Sequence, residues 1–240
     1  MSVHRSKFEG FLLASIGEDN SDNGMQLSVL PALARQKIDP WDEAAGLSIK
    51  SAGLYDDATG GTDGWVSLEV SPLLADDPAG TVKAAVALHA QAQRRNLFIK
   101  IPGTRAGVTA IEEAIFADVP VNVILLFSRE HYAAAAEAYL RGIERRLAAG
   151  RDPCVGSVAS LFVSRWDVAV KDRVPAKLCN RLGIAVAMRT YKAYREPLSS
   201  PRWQTLAASG ATTRPAPFTG VIPVLTASTR SISSSIRAHG

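Results

Sequence analysis

Leu97-Phe98-Ile99-Lys100-Ile101-Pro102 is an apolar run with a single charge, and its length and composition read as a buried strand. Lys100 in such a strand must reach water, find a partner or give up its proton, because burying an uncompensated ammonium is costly. A neutral lysine amine is the nucleophile needed to form a Schiff base with a carbonyl. Taken alone, a strand-end lysine that simply reaches solvent is the commoner case. The segments on either side decide what kind of sheet the strand joins.

Upstream, residues 65–70 form a second strand-like run, and Asp76-Asp77-Pro78 opens a helix, with the acidic pair suited to its positive end and Pro78 to its first turn. Residues 79–95 carry Val82, Val86 and Ala90 at helical spacing, and Asn96 marks the stop. Downstream, Pro102-Gly103-Thr104 makes a tight loop before a helix over 107–117, and 119–127 is a third strand, apolar apart from Asn122. Ser128 caps a long helix with Glu130 and Glu137 near its start and basic residues near Arg145. Residues 155–163 give a fourth strand, and helical patterns follow at 166–174 and 176–194. Strands alternating with helices predict a parallel sheet, since each helix serves as a crossover. A closed (β/α)8 barrel and an open doubly wound sheet both satisfy this order. No Gly-x-Gly-x-x-Gly motif follows any strand, which weakens the nucleotide-binding sheet.

The chain of 240 residues suits one large domain, and 47% hydrophobic with 21% charged residues suits a soluble protein with a sizeable core. A net charge of +4 is mild, and only Arg94-Arg95 and Arg145-Arg146 are adjacent basic pairs, so nucleic-acid binding is not expected. Apolar stretches are too short for a membrane span, and the run Phe11-Leu12-Leu13-Ala14-Ser15-Ile16 is too short for a signal peptide. Cys154 and Cys179 are too few and too isolated for a zinc site or a disulfide framework. A reduced, cytoplasmic protein is the expectation.

Polar residues are sparse in the strands: Ser67 and Glu69, Lys100, Asn122, then Ser157 and Ser160. Glu69, Lys100, Asn122 and Ser160 each fall in the C-terminal half of a different strand, the end that carries the active site in a parallel β/α barrel. Each alone reads as a strand-end group bonded to a loop, but the repetition strand after strand points to one shared volume. Glu69 near Lys100 suits acid/base work in forming and dehydrating a carbinolamine, and a structural ion pair with the lysine is its competing reading. Arg165, just past the fourth strand, is either a phosphate ligand or a solvated surface arginine.

These residues resemble a family. Asp63-Gly64-Trp65-Val66-Ser67-Leu68-Glu69-Val70-Ser71-Pro72-Leu73-Leu74-Ala75 is similar to a signature of bacterial transaldolases. So are the segments from Asn96 to Thr104, from Val121 to Ser128, from Val158 to Arg165, and from Tyr191 to Gly210 with Trp203-Gln204. The resemblance implies a (β/α)8 TIM barrel of class I aldolase type, working without metal or organic cofactor. It further implies transfer of a dihydroxyacetone unit between sugar phosphates in the pentose phosphate pathway. Lys100 matches the Schiff-base lysine and Glu69 a carboxylate that works with a bound water. Asn122 and Ser160 match residues that bind substrate hydroxyls, Phe162 lines the pocket, and Arg165 matches a phosphate ligand. A homo-oligomer is compatible with this reading.

The chain departs from the family in three places. Ile124 stands where a threonine helps to hold the water. No family-like aspartate or Thr-Asn-Pro motif occurs in 1–55, and Pro215-Ala216-Pro217-Phe218-Thr219-Gly220 replaces the expected Trp-Ala-Ser-Thr segment. The expected organisation is therefore an atypical segment over 1–55, a barrel core over 56–214 and an atypical, disordered tail over 215–240, in which Val221 to Leu225 is compatible with a short strand, with the barrel incomplete. A tail translated in a shifted frame would account for the last departure. The alternative to an active transaldolase is an impaired or inactive relic that only binds.

Overall fold

The computed structural model describes Asp57 and residues 65–211, together with the backbone of two further strands at 13–16 and 224–227. The strands are β1 (Leu13–Ile16), β2 (Trp65–Glu69), β3 (Leu97–Pro102), β4 (Val121–Leu126), β5 (Ser157–Leu161) and β6 (Val224–Ala227). The helices are α1 (Pro78–Ala92), α2 (Arg105–Phe116), α3 (Arg129–Ala148), α4 (Ser164–Val170), α5 (Leu182–Leu198) and α6 (Pro201–Ala208).

Side-chain caps start four of these six helices. Asp77 accepts from Gly80 N ahead of Pro78, Thr104 accepts from Gly107 N, Ser128 accepts from His131 N and Ser200 accepts from Trp203 N. The strands are shorter than their apolar runs for local reasons. β4 begins only after Asp118 has turned through a positive φ of 72°, and Leu125, at φ 58°, irregularly shifts its register before Leu126. The pattern over 176–194 is not one helix: a 3-10 turn at Ala176–Leu178 ends at Asn180, whose φ of 58° is left-handed, and α5 starts afresh. Asp167 accepts from Gly183 N and ties that new start to α4.

The sheet order is β1-β2-β3-β4-β5-β6, strictly sequential, with β2 through β6 parallel. A doubly wound sheet reverses its strand order at a switch point. This one never does, which decides between the two architectures in favour of barrel winding. Among the described residues β1 and β6 do not pair, so the described barrel is open, as the incomplete (β/α)8 expectation requires. One strand departs from the parallel expectation. β1 lies in 1–55, where no element is expected from sequence, and runs antiparallel to β2, pairing Leu13 with Leu68 and Ile16 with Trp65. β6 lies within 215–240, and the rest of that segment and of 1–55 falls outside the described residues.

Strand alternation sorts the apolar side chains into two cores. Val66, Leu68, Leu97, Ile99, Ile101, Val121, Val123, Ala159 and Leu161 pack outward against Ala85 of α1, Ile111 and Ile115 of α2 and Tyr139 and Ile143 of α3. Trp65, Phe98 and Val158 form a separate cluster on the opposite face. On α1 the facing differs from the Val82, Val86, Ala90 stripe read from sequence. Thr81 and Ala85 are buried while Val86 and Ala90 are exposed, because a weakly amphipathic helix offers alanine and threonine as an equally good inner face.

Charges bind the outer shell. Arg202 of α6 bonds Glu137 and Glu144 of α3, and Arg141 and Arg145 of α3 bond Glu112 of α2. Buried Arg146 donates to the Phe116 carbonyl, which ends α2, and to the Asp152 carbonyl. His89 of α1 keeps Nε2 buried without a hydrogen-bond partner, and burial lowers its pKa against a smaller opposing pull from Asp118.

Candidate active site

The register alone brings three of the expected residues side by side. Glu69 is in register with Lys100 across β2 and β3, and Lys100 is in register with Asn122 across β3 and β4. Lys100 and Asn122 are buried, at 6% and 3% exposure, and Glu69 and Ser160 are half-buried. The Asn122 side chain is held at both ends: Nδ2 donates to Ser67 Oγ at 3.1 Å, and Oδ1 accepts from Ser160 Oγ at 2.8 Å.

The first of these bonds reveals the tilt of the strands. It joins β4 to β2 over the top of β3, and Ser67 lies two residues before Glu69, the residue in register with Asn122 through Lys100. A stagger of about one residue per strand is that of a barrel with about eight strands and shear 8, where alternate strands supply the residues of one layer. The same stagger sets Val158 level with Phe98, Ser160 with Lys100, and Ile124 with Glu69. The Trp65, Phe98 and Val158 cluster fits it, with the Trp65 and Phe98 rings stacked at 4.3 Å.

Read from the N-terminal end upward, the interior therefore changes character in steps. Trp65, Phe98 and Val158 make an apolar base; Ser67 and Asn122 lie above it; Lys100 and Ser160 come next; Glu69 and Ile124 close the sequence at the C-terminal end. Burial raises the Glu69 carboxyl above its ordinary range, while the charge of Lys100 pulls it partly back. A carboxyl held toward its neutral form beside an amine can donate a proton as well as accept one. Ile124 is 6% exposed and offers no hydrogen-bonding atom to Glu69.

Phe162 and Arg165 follow β5 and stand at the rim instead of in the interior layers. Phe162 packs on Phe127 with ring centroids 5.6 Å apart, and the exposed Arg165 guanidinium lies 5.0 Å over the Phe162 ring. Trp166 Nε1 donates to the Phe127 carbonyl at 2.7 Å and fixes this corner. Gly103 is closely packed at the rim: a Cβ there would collide with the Leu126 side chain, and its N–H bonds the Ile124 carbonyl at 2.7 Å. Ser157 stands apart, donating to the Val121 carbonyl. Ser67 is the site residue that sequence reasoning placed in a strand but gave no role, although its two-residue spacing from Glu69 already put both on one face. Among the described residues no group of three or more His, Cys, Asp or Glu side chains could hold a metal ion.

The family model for transaldolase/fructose-6-phosphate aldolase matches residues 28–234. The chain belongs to that family. The match extends beyond 56–214 on both sides. A transaldolase of Neisseria gonorrhoeae is 40% identical over 188 residues, covering 75% of this chain and 54% of the relative. A transaldolase of a Parafrankia species is 45% identical over 163 residues, covering 65% and 44%. Transaldolase 2 of a Nostoc species is 39% identical over 172 residues, covering 65% and 45%. The chain thus spans about half the length of these curated relatives. Family membership accounts for the winding, since its fold is the (β/α)8 barrel. Among the described residues no helix is long and apolar enough to cross a membrane.

Proposed function

We propose that the chain is a transaldolase, moving a dihydroxyacetone unit from sedoheptulose 7-phosphate or fructose 6-phosphate to an aldose phosphate in the pentose phosphate pathway of the cytoplasm. The observation that carries this reading is the register of Glu69, Lys100 and Asn122 on three adjacent strands, with Ser160 bonded to Asn122.

In this reading the Lys100 amine adds to the ketose C2 carbonyl to give a carbinolamine. Glu69 protonates the departing hydroxyl, which leaves as water, and an iminium remains. Loss of the C4 hydroxyl proton to a base breaks the C3–C4 bond. The electron pair moves into the iminium as an enamine, and the aldose phosphate departs. The enamine carbon then attacks the acceptor aldehyde, and water releases the new ketose and restores the amine. Asn122 and Ser160 hold substrate hydroxyls, Phe162 walls the pocket, and Arg165 at the rim meets the phosphate. The apolar base of Trp65, Phe98 and Val158 keeps water from Lys100 on its lower side.

Ile124 supports a slower enzyme than its relatives. It occupies the layer of Glu69, where proton transfer through a water needs a further hydrogen-bonding group. Borohydride reduction in the presence of fructose 6-phosphate, followed by peptide mass spectrometry, tests the reading. An adduct on Lys100 and transfer to erythrose 4-phosphate are expected. No adduct under conditions that label a full-length transaldolase would refute it, and an adduct without transfer would leave only the relic.

A further inference from the structure

We propose that Ser67 is a positioning residue: it anchors the Asn122 amide so that the amide's remaining N–H and lone pair face the substrate held on Lys100. The inference rests on the transaldolase reading and adds a residue to its site.

Ser67 is fully buried and sits one layer below Lys100, so its hydroxyl has no path to a substrate atom joined to the lysine. Its bond is to Asn122. A carboxamide has two donor hydrogens and two acceptor lone pairs. Ser67 takes one hydrogen at 3.1 Å and Ser160 fills one lone pair at 2.8 Å, and each distance is ordinary for its donor type. One hydrogen and one lone pair are left, in fixed directions, because the amide plane is pinned from both sides. Without Ser67 the amide would be held only through Ser160. A hydroxyl can donate or accept, so that single bond is compatible with either face of the amide. The buried N–H would then lack an acceptor, and the group that orients the substrate would have more than one arrangement.

The layered interior also explains why this task falls to β2. In-layer neighbours come from alternate strands, so the nearest side chains to Asn122 at its own level belong to β2 and not to adjacent β3. Position 67 is where that neighbour lies, and serine is small enough to leave Phe98 and Lys100 in place beside it.

The test is a double-mutant cycle in the full chain. Ser67→Ala is expected to lower kcat/KM for transfer from fructose 6-phosphate about 10- to 100-fold, the loss typical of a misplaced binding group. Lys100 should still be labelled by borohydride at saturating fructose 6-phosphate. In an Asn122→Ala background the same change is expected to alter kcat/KM less than about twofold, because the residue through which Ser67 acts is gone. Equal losses in both backgrounds, or no loss in the first, would overturn the proposal. Ser67→Cys, slightly larger and a weaker acceptor, should fall between serine and alanine, and carries the cycle if the alanine variant does not fold. NMR of the Asn122 side-chain amide separates this proposal from the reading beneath it. Ser67→Ala must shift those two proton resonances and speed their exchange in the ligand-free protein. Unmoved resonances overturn the role of Ser67, whereas moved resonances without any Lys100 adduct overturn the transaldolase reading alone.

Discussion

Replacing Ile124 with threonine should raise turnover at a modest cost in stability. The site is 6% exposed, in the layer of Glu69, and the isoleucine provides no hydrogen-bonding atom there. Removing one buried methylene costs about 0.8 kcal/mol. The new hydroxyl adds little further penalty once it bonds Glu69 or a water, so a total loss of about 1 to 2 kcal/mol is expected, with a lower urea midpoint. A positioned hydrogen-bond donor in a proton-transfer site is worth about 100-fold or more in rate. The assay is steady-state transfer from fructose 6-phosphate to erythrose 4-phosphate, with borohydride labelling of Lys100 in parallel. Ile124→Val serves as the control, since it loses volume without gaining a hydroxyl and should not gain activity. If Ile124→Thr folds, labels at Lys100 as the parent does and turns over no faster, the site does not lack a hydroxyl at this position and the reasoning fails.

Three further outcomes follow from the electrostatics. Burial raises the Glu69 carboxyl above 4.5, so its contribution to stability is present below that value and lost as pH rises through the folded pKa; Glu69→Gln should gain on the parent in denaturant midpoint from pH 4.5 upward, with transfer activity lost. His89 has the opposite consequence. Its pKa is lowered from 6.5, so the parent should lose stability as pH falls below 6.5, and His89→Gln should flatten that slope in melts across the range. Arg202 bridges Glu137 and Glu144 with its side chain 38% exposed, so Arg202→Met should cost roughly 1 kcal/mol in dilute buffer, a difference that shrinks in about 1 M salt.

The winding of strands and helices was readable because each strand is an unbroken apolar run and the helix starts carry their own marks, Asp77-Pro78 and Ser128 among them. The end positions were not, because they depend on single residues in left-handed backbone. Nothing in the composition of Asp118 or Leu125 requires a positive φ there. On α1 hydrophobicity points to Val82, Val86 and Ala90, whereas the buried positions are Thr81 and Ala85, with Val82 packed beside them. Glu69, Lys100, Asn122 and Ser160 could be assigned to one volume from strand position alone. Their pairing could not. The bond from Asn122 to Ser67 depends on strand tilt, a property of the assembled sheet that no single strand's sequence encodes. The antiparallel β1 was hidden for a related reason: a four-residue strand gains its identity from the edge it covers.

The layered interior has a consequence for the order of folding. The two hydrogen bonds that hold Asn122 close loops of 55 and 38 residues, and the Trp65 and Phe98 stack beneath them joins two different strands. None of these contacts can form within one helical hairpin or turn, so each waits for several crossovers to dock and for their loop entropy to be overcome. Helices α2 and α3 can pair early around their own apolar faces; the inner layers must wait for the strands to tilt into place. With Trp41, Trp166 and Trp203 replaced by phenylalanine, Trp65 fluorescence is then a clock for the arrival of the site, and it should settle more slowly after dilution from denaturant than the far-ultraviolet signal of the helices.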